Sequence, residues 1–210
     1  MSKLQDVENA VVFGKSKLVA GLVQEALDEG CSAPDILNGM INAMGIVGER
    51  FKKNEIFVPE MLVAARAMKK GVDVLKPHLA SGSAGVCGKA IIGTVAGDLH
   101  DIGKNLVAMM IESAGFEVID LGVDVPVEKF IETVKANPDV KIVGCSALLT
   151  TTMPALKSTV EALNAEDFRS HIKVMVGGAP ITQEFANEIG ADAYTPDAAS
   201  AAQKAKELVA

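Results

Sequence analysis

The chain has 210 residues, which is long enough for one large domain or two small ones. Hydrophobic residues make up 49% of it and charged residues 22%, a composition that builds a packed core and argues against extensive disorder. The 20 Lys and Arg against 27 Asp and Glu give a formal net charge of −7 without any basic block, which disfavours nucleic acid as a partner.

The N-terminal residues and the cysteines indicate the compartment. The first 18 residues contain acidic and amide side chains where a secretory signal needs an apolar run, and no other stretch is apolar enough to span a membrane. Cys31, Cys87 and Cys145 are an odd number without CxxC spacing, which favours reduced thiols over a disulfide framework or a zinc site. We therefore expect a cytoplasmic protein that does not bind membranes.

The first 79 residues are predicted to form a domain of helices. Apolar residues recur there at every third or fourth position, and Ser32 with Asp35 three residues later is typical of a capping box. Four helices of this length predict a small antiparallel bundle. They are expected over about 6–12, 15–29, 32–51 and 59–77.

The pattern changes after a segment that is typical of a flexible linker. Residues 80–89 are rich in Gly, Ser and Ala and have no periodicity. From residue 90 to residue 210, short β-branched runs alternate with helical segments, which predicts a five-stranded parallel sheet with helices on both faces. The strands are expected within 90–95, 116–122, 140–148, 171–178 and 191–195. The intervening and final helices are expected at 102–114, 127–136, 153–163, 182–189 and from about 198 to the end.

The loop after the first of these strands contains an imidazole between carboxylates. Asp98 lies two residues before His100, so its carboxylate can hold one ring nitrogen while the other faces a metal. The chain has only three histidines, which disfavours a multi-histidine metal site but suits a metal whose other ligands belong to a macrocycle. The alternative is a helix cap beside an exposed histidine.

Two later loops are rich in hydroxyls and glycines. Residues 144–152 form the end of the third strand and the loop after it, and Gly177 and Gly178 lie at the end of the fourth. Ligands of such sheets bind at the carboxyl ends of the strands, so these loops predict a slot for a long ligand tail. Helix capping by the threonines and a simple tight turn at the glycines are the alternatives.

The three loops together resemble the signature of a known family. Asp98-x-His100-x-x-Gly103, Ser146-x-Leu148 and Gly177-Gly178 are similar to the motifs of the cobalamin-binding domain of methyltransferase corrinoid proteins, methionine synthase and several mutases. Residues 47–51 and 55–61 resemble the helical cap of methyl-transferring corrinoid proteins. The resemblance covers nearly the whole chain and implies a flavodoxin-like, Rossmann-type α/β domain behind a four-helix cap.

The resemblance also implies residue roles. Cobalamin or a related corrinoid would be bound with its dimethylbenzimidazole base away from cobalt, and His100 would be the lower axial ligand. Asp98 would be the hydrogen-bond partner of His100, and Thr152 stands where methionine synthase has a serine. The base would contact Ser146, Leu148 and Thr150. The other implied contacts are Gly97, Asp101, Ile102 and Gly103 in the first loop, Gly177 and Gly178 along the tail, and Phe51, Val58 and Met61 in the cap, with bundle packing an alternative for Met61.

The implied activity is a methyl relay in the one-carbon metabolism of methanogenesis or acetogenesis. Cobalt(I) would accept a methyl group from a substrate-specific methyltransferase, and methyl-cobalt(III) would pass it to a second methyltransferase of the tetrahydrofolate or coenzyme M type. A reductive activating protein would be a further partner, and the 80–89 linker would let the cap move aside. The alternatives are the cobalamin subunit of an adenosylcobalamin mutase, which the helical cap disfavours, and a cobalamin-responsive regulator, which the missing basic module disfavours.

Overall fold

The computed structural model describes residues 2–79 and 87–210, which form two compact units. The first unit contains the N-terminal helices and the second contains the sheet. Most of the predicted linker, residues 80–86, lies outside the described residues, and Lys89 already belongs to the first strand.

The prediction of four helices in the N-terminal unit is confirmed. Ser32 begins the third helix as its N-cap, because its hydroxyl accepts the backbone N–H of Asp35 at 3.2 Å. The second helix starts four residues later than predicted, since the chain makes tight turns after Gly14, whose φ is +62°. The bounds are α1 Lys3–Val12, α2 Val19–Asp28, α3 Ala33–Lys52 and α4 Val58–Leu75, followed by a 3-10 turn at Lys76–His78.

The core of this bundle consists of aliphatic side chains and methionines. Helix α3 packs against α1 and α4, and a Cβ added at Gly71 of α4 would overlap the methyl group of Met40 on α3. The end of the Met40 side chain therefore packs directly on the Gly71 backbone. The largest completely buried side chains of the bundle are Ile36, Met40, Met61, Met68 and Leu75.

The second unit contains the predicted parallel sheet, which is confirmed. Its described strands lie in the order β2-β1-β3-β4-β5, and every neighbouring pair is parallel. The strands are β1 Lys89–Val95, β2 Glu117–Val125, β3 Val140–Ser146, β4 Lys173–Gly177 and β5 Ala193–Tyr194. The helices are α5 Ile102–Ser113, α6 Val127–Ala136, α7 Met153–Asn164, α8 Gln183–Glu188 and α9 Ala198–Val209.

Burial on both faces of β1 explains why this segment is a central strand. Ile91 and Val95 belong to the core formed with Phe130 of α6 and Leu156 of α7. Ala90 and Ile92, which alternate with them and so face the other way, are buried as well. Within the described ranges, no helix is both long and apolar enough to cross a membrane.

Candidate functional site

The candidate site lies where the strand order reverses. Strand β1 has β2 on one side and β3 on the other, so the chain leaves β1 and β3 in opposite directions at their carboxyl ends. Such a point opens a crevice in parallel sheets of this order. The loops that flank it are 96–101 after β1 and 147–149 after β3, followed by a 3-10 turn at Thr150–Thr152.

Asp98 is the centre of the hydrogen bonding in this crevice. Its carboxylate is completely buried, and its Oδ1 accepts the backbone N–H of His100 at 3.1 Å and faces His100 Nδ1 at 2.7 Å. Its Oδ2 accepts the N–H of Leu148 at 2.7 Å and the hydroxyl of Thr152 at 2.8 Å. One side chain therefore joins the two loops.

These contacts keep Asp98 ionised. Burial alone would raise its pKa, but the hydrogen bonds from Leu148, Thr152 and His100 outweigh burial and hold the pKa of this carboxyl well below its usual range. Because an ionised carboxylate can only accept, His100 Nδ1 must carry a proton and donate it. In the neutral imidazole, the lone pair is then on Nε2.

The His100 ring is only partly covered by the protein. The side chain is 49% exposed, and Nε2 makes no hydrogen bond with any residue in the described part of the chain. The backbone is also fixed, because the His100 carbonyl accepts a hydrogen bond from the buried hydroxyl of Thr94 at 2.9 Å. The ring is thus held by Nδ1 and available at Nε2.

The structure brings Thr152, Asp98 and His100 into one hydrogen-bonded chain. Thr152 is buried at the start of α7, and a Cβ added at Gly97 would lie 3.8 Å from the Thr152 methyl group. The methyl group by which threonine exceeds serine therefore fits beside Gly97 without displacing the hydroxyl from Asp98.

The carboxyl end of β2 supports the first loop from the other side. Asp124 accepts the Gly97 N–H at 2.7 Å through its carboxylate and donates its own N–H to the Asp98 carbonyl at 2.9 Å. Sequence reasoning missed Asp124, although an acidic residue at the end of a predicted strand was a usable signal. Gly97 has a φ of +78°, which favours glycine at this turn.

An ion pair between a buried lysine and an exposed aspartate connects the helix that follows His100 to strand β2. Lys104 Nζ donates to Asp120 Oδ1 of β2 at 2.6 Å and to the Asn105 side-chain oxygen at 2.6 Å, and the Lys104 side chain is almost fully buried. Asp101 precedes α5 and accepts the Asn105 backbone N–H at 2.7 Å. A Cβ added at Gly103 would meet nothing within 4 Å, so this glycine leaves open space.

The rim of the crevice is apolar. Leu99 and Ile102, on either side of His100, are 72% and 84% exposed, and Leu148 and Leu149 in the opposite loop are 42% and 41% exposed. Exposed aliphatic side chains around a surface imidazole are suited to a broad, flat ligand.

The donor set fits a metal that brings its own macrocycle. In the described ranges, no group of three or more His, Cys, Asp or Glu side chains could hold a bare metal ion. A single imidazole nitrogen inside an apolar rim is instead the axial donor that a macrocyclic metal needs. A corrinoid therefore fits the residues present.

Two of the residues predicted to line a tail slot also lie at this edge of the sheet. Ser146 ends β3 with its Oγ 2.9 Å from Thr94 Oγ1, and Thr150 is exposed in the turn before α7. Sequence reasoning missed Thr94, whose signal is a polar residue in an otherwise apolar strand.

The two glycines after β4 serve a close backbone contact. The Gly177 carbonyl accepts the Ala147 N–H at 3.1 Å. Gly178 has a φ of +132°, and a Cβ added there would overlap the Ala147 carbonyl oxygen. The predicted alternative, a structural turn, thus accounts for Gly178 on steric grounds alone.

The predicted cap residues belong to the N-terminal unit and differ in exposure. Phe51 near the end of α3 is half-buried, whereas Val58 at the start of α4 is exposed. Met61 is completely buried, as expected for the alternative in which it packs in the bundle core.

Comparisons with known proteins find matches to both units of the chain. A family model described as a B12 binding domain matches residues 88–204, and a second B12 binding domain model matches residues 4–76. The chain is 44% identical to dimethylamine corrinoid protein 1 of Methanosarcina acetivorans, over 99% of this chain and 97% of that protein.

Two solved structures are similar over almost the entire chain. A cobalamin-binding protein from Desulfitobacterium hafniense has a TM-score of 0.83 at 33% identity, with 99% of this chain and 98% of that one covered. The methanol:cobalamin methyltransferase complex MtaBC from Methanosarcina barkeri contains a chain with a TM-score of 0.85 at 28% identity, with 99% of this chain and 79% of that one covered.

Proposed function

The chain belongs to the B12-binding corrinoid proteins, and from this membership we propose that it is the methyl-carrying subunit of a methyltransferase system. A bound corrinoid supplies a cobalt atom to which a methyl group can be attached and from which it can be passed on. The observation that carries the proposal is the half-exposed His100 ring, which is held through Nδ1 on the buried Asp98 beside an apolar rim and whose Nε2 has no hydrogen-bond partner among the described residues.

His100 is the proposed lower axial ligand of cobalt, with the tail base displaced. The Asp98 carboxylate fixes the proton on Nδ1, which directs the Nε2 lone pair outwards and strengthens it as a donor. Thr152 and Leu148 hold Asp98 in turn, so the ring orientation is set before a ligand arrives.

The remaining contacts are proposed from their positions. Leu99, Ile102 and Leu148 offer aliphatic surface to the flat face of a corrinoid. In the N-terminal unit, Phe51 and Val58 are proposed contacts of the corrinoid that have accessible surface, whereas Met61 would have to act from a buried position. The proposed tail contacts are Ser146, Leu148, Thr150, Gly177 and Gly178, and the proposed neighbours of the His100 loop are Gly97, Asp101 and Gly103.

Two methyltransferases and an activating protein are the proposed partners. The similarity to a dimethylamine corrinoid protein and to a chain of a methanol:cobalamin methyltransferase complex supports a substrate-specific methyltransferase as the partner that delivers the methyl group. A methylated amine is the first substrate of that partner to test. The acceptor would be a second methyltransferase of the tetrahydrofolate or coenzyme M type. A reductive activating protein would restore the cobalt(I) state.

Isotope-edited electron paramagnetic resonance of the cobalt(II) form tests the axial ligand. The full chain is prepared with ¹⁵N-histidine and loaded with cobalamin containing ¹⁴N. Because ¹⁵N has nuclear spin one half and ¹⁴N has spin one, a histidine ligand splits the signal into doublets, and a base from the tail splits it into triplets.

We expect doublets for the wild type and their loss in His100→Ala. His171→Ala is the matched control, because His171 is an exposed histidine in the 3-10 turn before β4. Triplets in the wild type, or doublets that survive His100→Ala, would contradict the proposed ligand. Failure of the wild-type chain to bind any corrinoid would contradict the function itself.

A further inference from the structure

A buried hydroxyl connects the loop of His100 with the candidate tail slot. Thr94 lies at the carboxyl end of β1, is completely buried, and is the register partner of Ser146 on β3. Its Oγ1 donates to the His100 carbonyl at 2.9 Å and lies 2.9 Å from Ser146 Oγ. Thr94 therefore contacts both the His100 loop and Ser146 of the candidate tail slot, and its own side chain is inaccessible to a ligand.

The directions of these two hydrogen bonds follow from a count of protons. A threonine hydroxyl has one proton, and a carbonyl oxygen can only accept. While Thr94 donates to His100, the bond between Thr94 and Ser146 must use the proton of Ser146. In this state, Ser146 can offer a ligand only oxygen lone pairs.

We propose that Thr94 couples occupancy of the tail slot at Ser146 to the backbone of His100, an inference that rests on the proposed corrinoid function. A hydrogen-bond acceptor in the slot, such as the ring nitrogen of a tail base released from cobalt, would take the proton of Ser146. The oxygens of Ser146 and Thr94 would then face each other without a proton between them. Thr94 restores that bond only by turning its proton to Ser146, which releases the His100 carbonyl.

The coupling affects one of the three hydrogen bonds that hold His100. The backbone N–H and Nδ1 stay on Asp98, and only the carbonyl loses its partner. Thr94 is therefore a positioning residue, and the effect of the tail on His100 is graded. Since a net hydrogen bond changes an equilibrium by about fivefold, removing Thr94 should raise the preference for base-bearing over base-free corrinoid by about that factor.

Histidine carbonyl labelling makes the released bond visible. The chain has three histidines, so ¹³C-carbonyl histidine gives three signals in the full-length holoprotein, and His100→Ala assigns the signal of His100. The probes are cobalamin and cobinamide, which lacks the tail base, both in diamagnetic cobalt(III) form. The carbonyl shift of His100 reports its hydrogen bond, and the signals of His78 and His171 are internal controls.

We expect the wild-type His100 signal to differ between the two probes, with the cobalamin value nearer to that of Thr94→Val. Thr94→Val should give one value with both probes, and Thr94→Ser should restore the difference. Ser146→Ala leaves Thr94 on the His100 carbonyl, so it should show the cobinamide-like value with either probe. This variant keeps the test valid even if Thr94→Val does not fold.

The coupling would be overturned, with the proposed function unaffected, if the wild-type His100 carbonyl shift were the same with cobalamin and with cobinamide bound. It would also be overturned if the two probes still gave different shifts in Ser146→Ala. Failure of the wild type to bind either corrinoid would overturn the proposed function instead, and a wild-type resonance spectrum without histidine doublets would overturn the proposed ligand.

Discussion

Asp98 has four well-formed hydrogen bonds, from the backbone and ring of His100, from Leu148 and from Thr152, although burial by itself disfavours its charge. A buried carboxylate is stable only when its acceptor sites are filled. The same bonds that keep Asp98 ionised also align His100, so ligand orientation and local stability depend on one group.

The depressed pKa of Asp98 predicts an acid-sensitive contribution to folding. A carboxyl whose pKa is lower in the folded state adds stability above its unfolded pKa, which is about 3.9, and this contribution is lost as the pH falls below that value. We expect the free energy of unfolding of the apoprotein, measured in urea, to fall less steeply from about pH 5 to pH 3 in Asp98→Asn than in the wild type. Asp167→Asn, an exposed carboxylate, should retain the wild-type slope.

Variants of Thr152 test whether its hydroxyl, and not its methyl group, is needed for stability and for the orientation of His100. Thr152→Val removes the donor to Asp98, so it should lower the free energy of unfolding by about 2 kcal/mol and weaken the His100 doublets of the holoprotein. Thr152→Ser retains the hydroxyl and should preserve both properties. The exposed Thr151→Val is the control, and an equal loss of stability there would show that the turn, not the hydroxyl, is responsible.

At the residue scale, the sequence was sufficient to predict contacts between side chains that lie close together along the chain. Asp98 and His100 are two positions apart in one loop, so their contact follows from local geometry. Thr94 and Asp124 act through pairing with β3 and β2, and their partners are set by strand register and by a bulged strand end. A sequence pattern without long-range pairing does not contain that information.

The loops after β3 and β4 form one element through the close contact of Gly178 with Ala147. The 147–149 loop supplies the N–H groups that bind Asp98, so its position depends on the glycine turn behind it. Gly178, which the sequence analysis assigns to a ligand slot, therefore also supports the loop that binds Asp98, the hydrogen-bond partner of His100.

Two glycine variants separate support from open space. Gly178→Ala combines an unfavourable φ with overlap of the Ala147 carbonyl and should destabilise the apoprotein by about 3 kcal/mol. Gly103→Ala, in the open first turn of α5, should leave apoprotein stability unchanged or slightly raised. Urea unfolding of both variants measures the contrast, and equal destabilisation would contradict it.

Gly103→Ala has a second expected effect, because the open space belongs to the proposed corrinoid contact. Its affinity for cobalamin should fall although the apoprotein is intact, which equilibrium dialysis can measure. Unchanged affinity would place Gly103 outside the cofactor contact.

At the element scale, periodicity predicted the helices and strands well because each has a continuous buried stripe or run. Helix α6 was predicted at its observed bounds, 127–136. The start of α2 was missed because the turn at Gly14 depends on a close approach to Val63 of α4, which is a tertiary contact. Strand β5 is only two residues long, and its limits depend on pairing with β4.

The whole molecule combines an aliphatic helical unit with a sheet whose crevice carries one available imidazole. Both units match B12 binding domain models, which distinguishes the chain from a sheet domain alone. The helical unit is the feature on which the methyl-carrier proposal and the mutase alternative differ.

Cofactor preference is the prediction that belongs to this scale. A methyl carrier should retain methylcobalamin at least as tightly as adenosylcobalamin, because the small methyl ligand needs little room on the upper face of cobalt. Equilibrium dialysis in the dark of the full chain against each cofactor measures the ratio. A strong preference for adenosylcobalamin would favour the mutase or regulator alternatives.

The bare rim formed by Leu99, Ile102, Leu148 and Leu149 has a calorimetric consequence. Any flat ligand that covers it removes hydrocarbon from water, so association must lower the heat capacity of the system. The binding enthalpy then becomes more negative as the temperature rises, so ligand binding at this rim releases more heat at higher temperature.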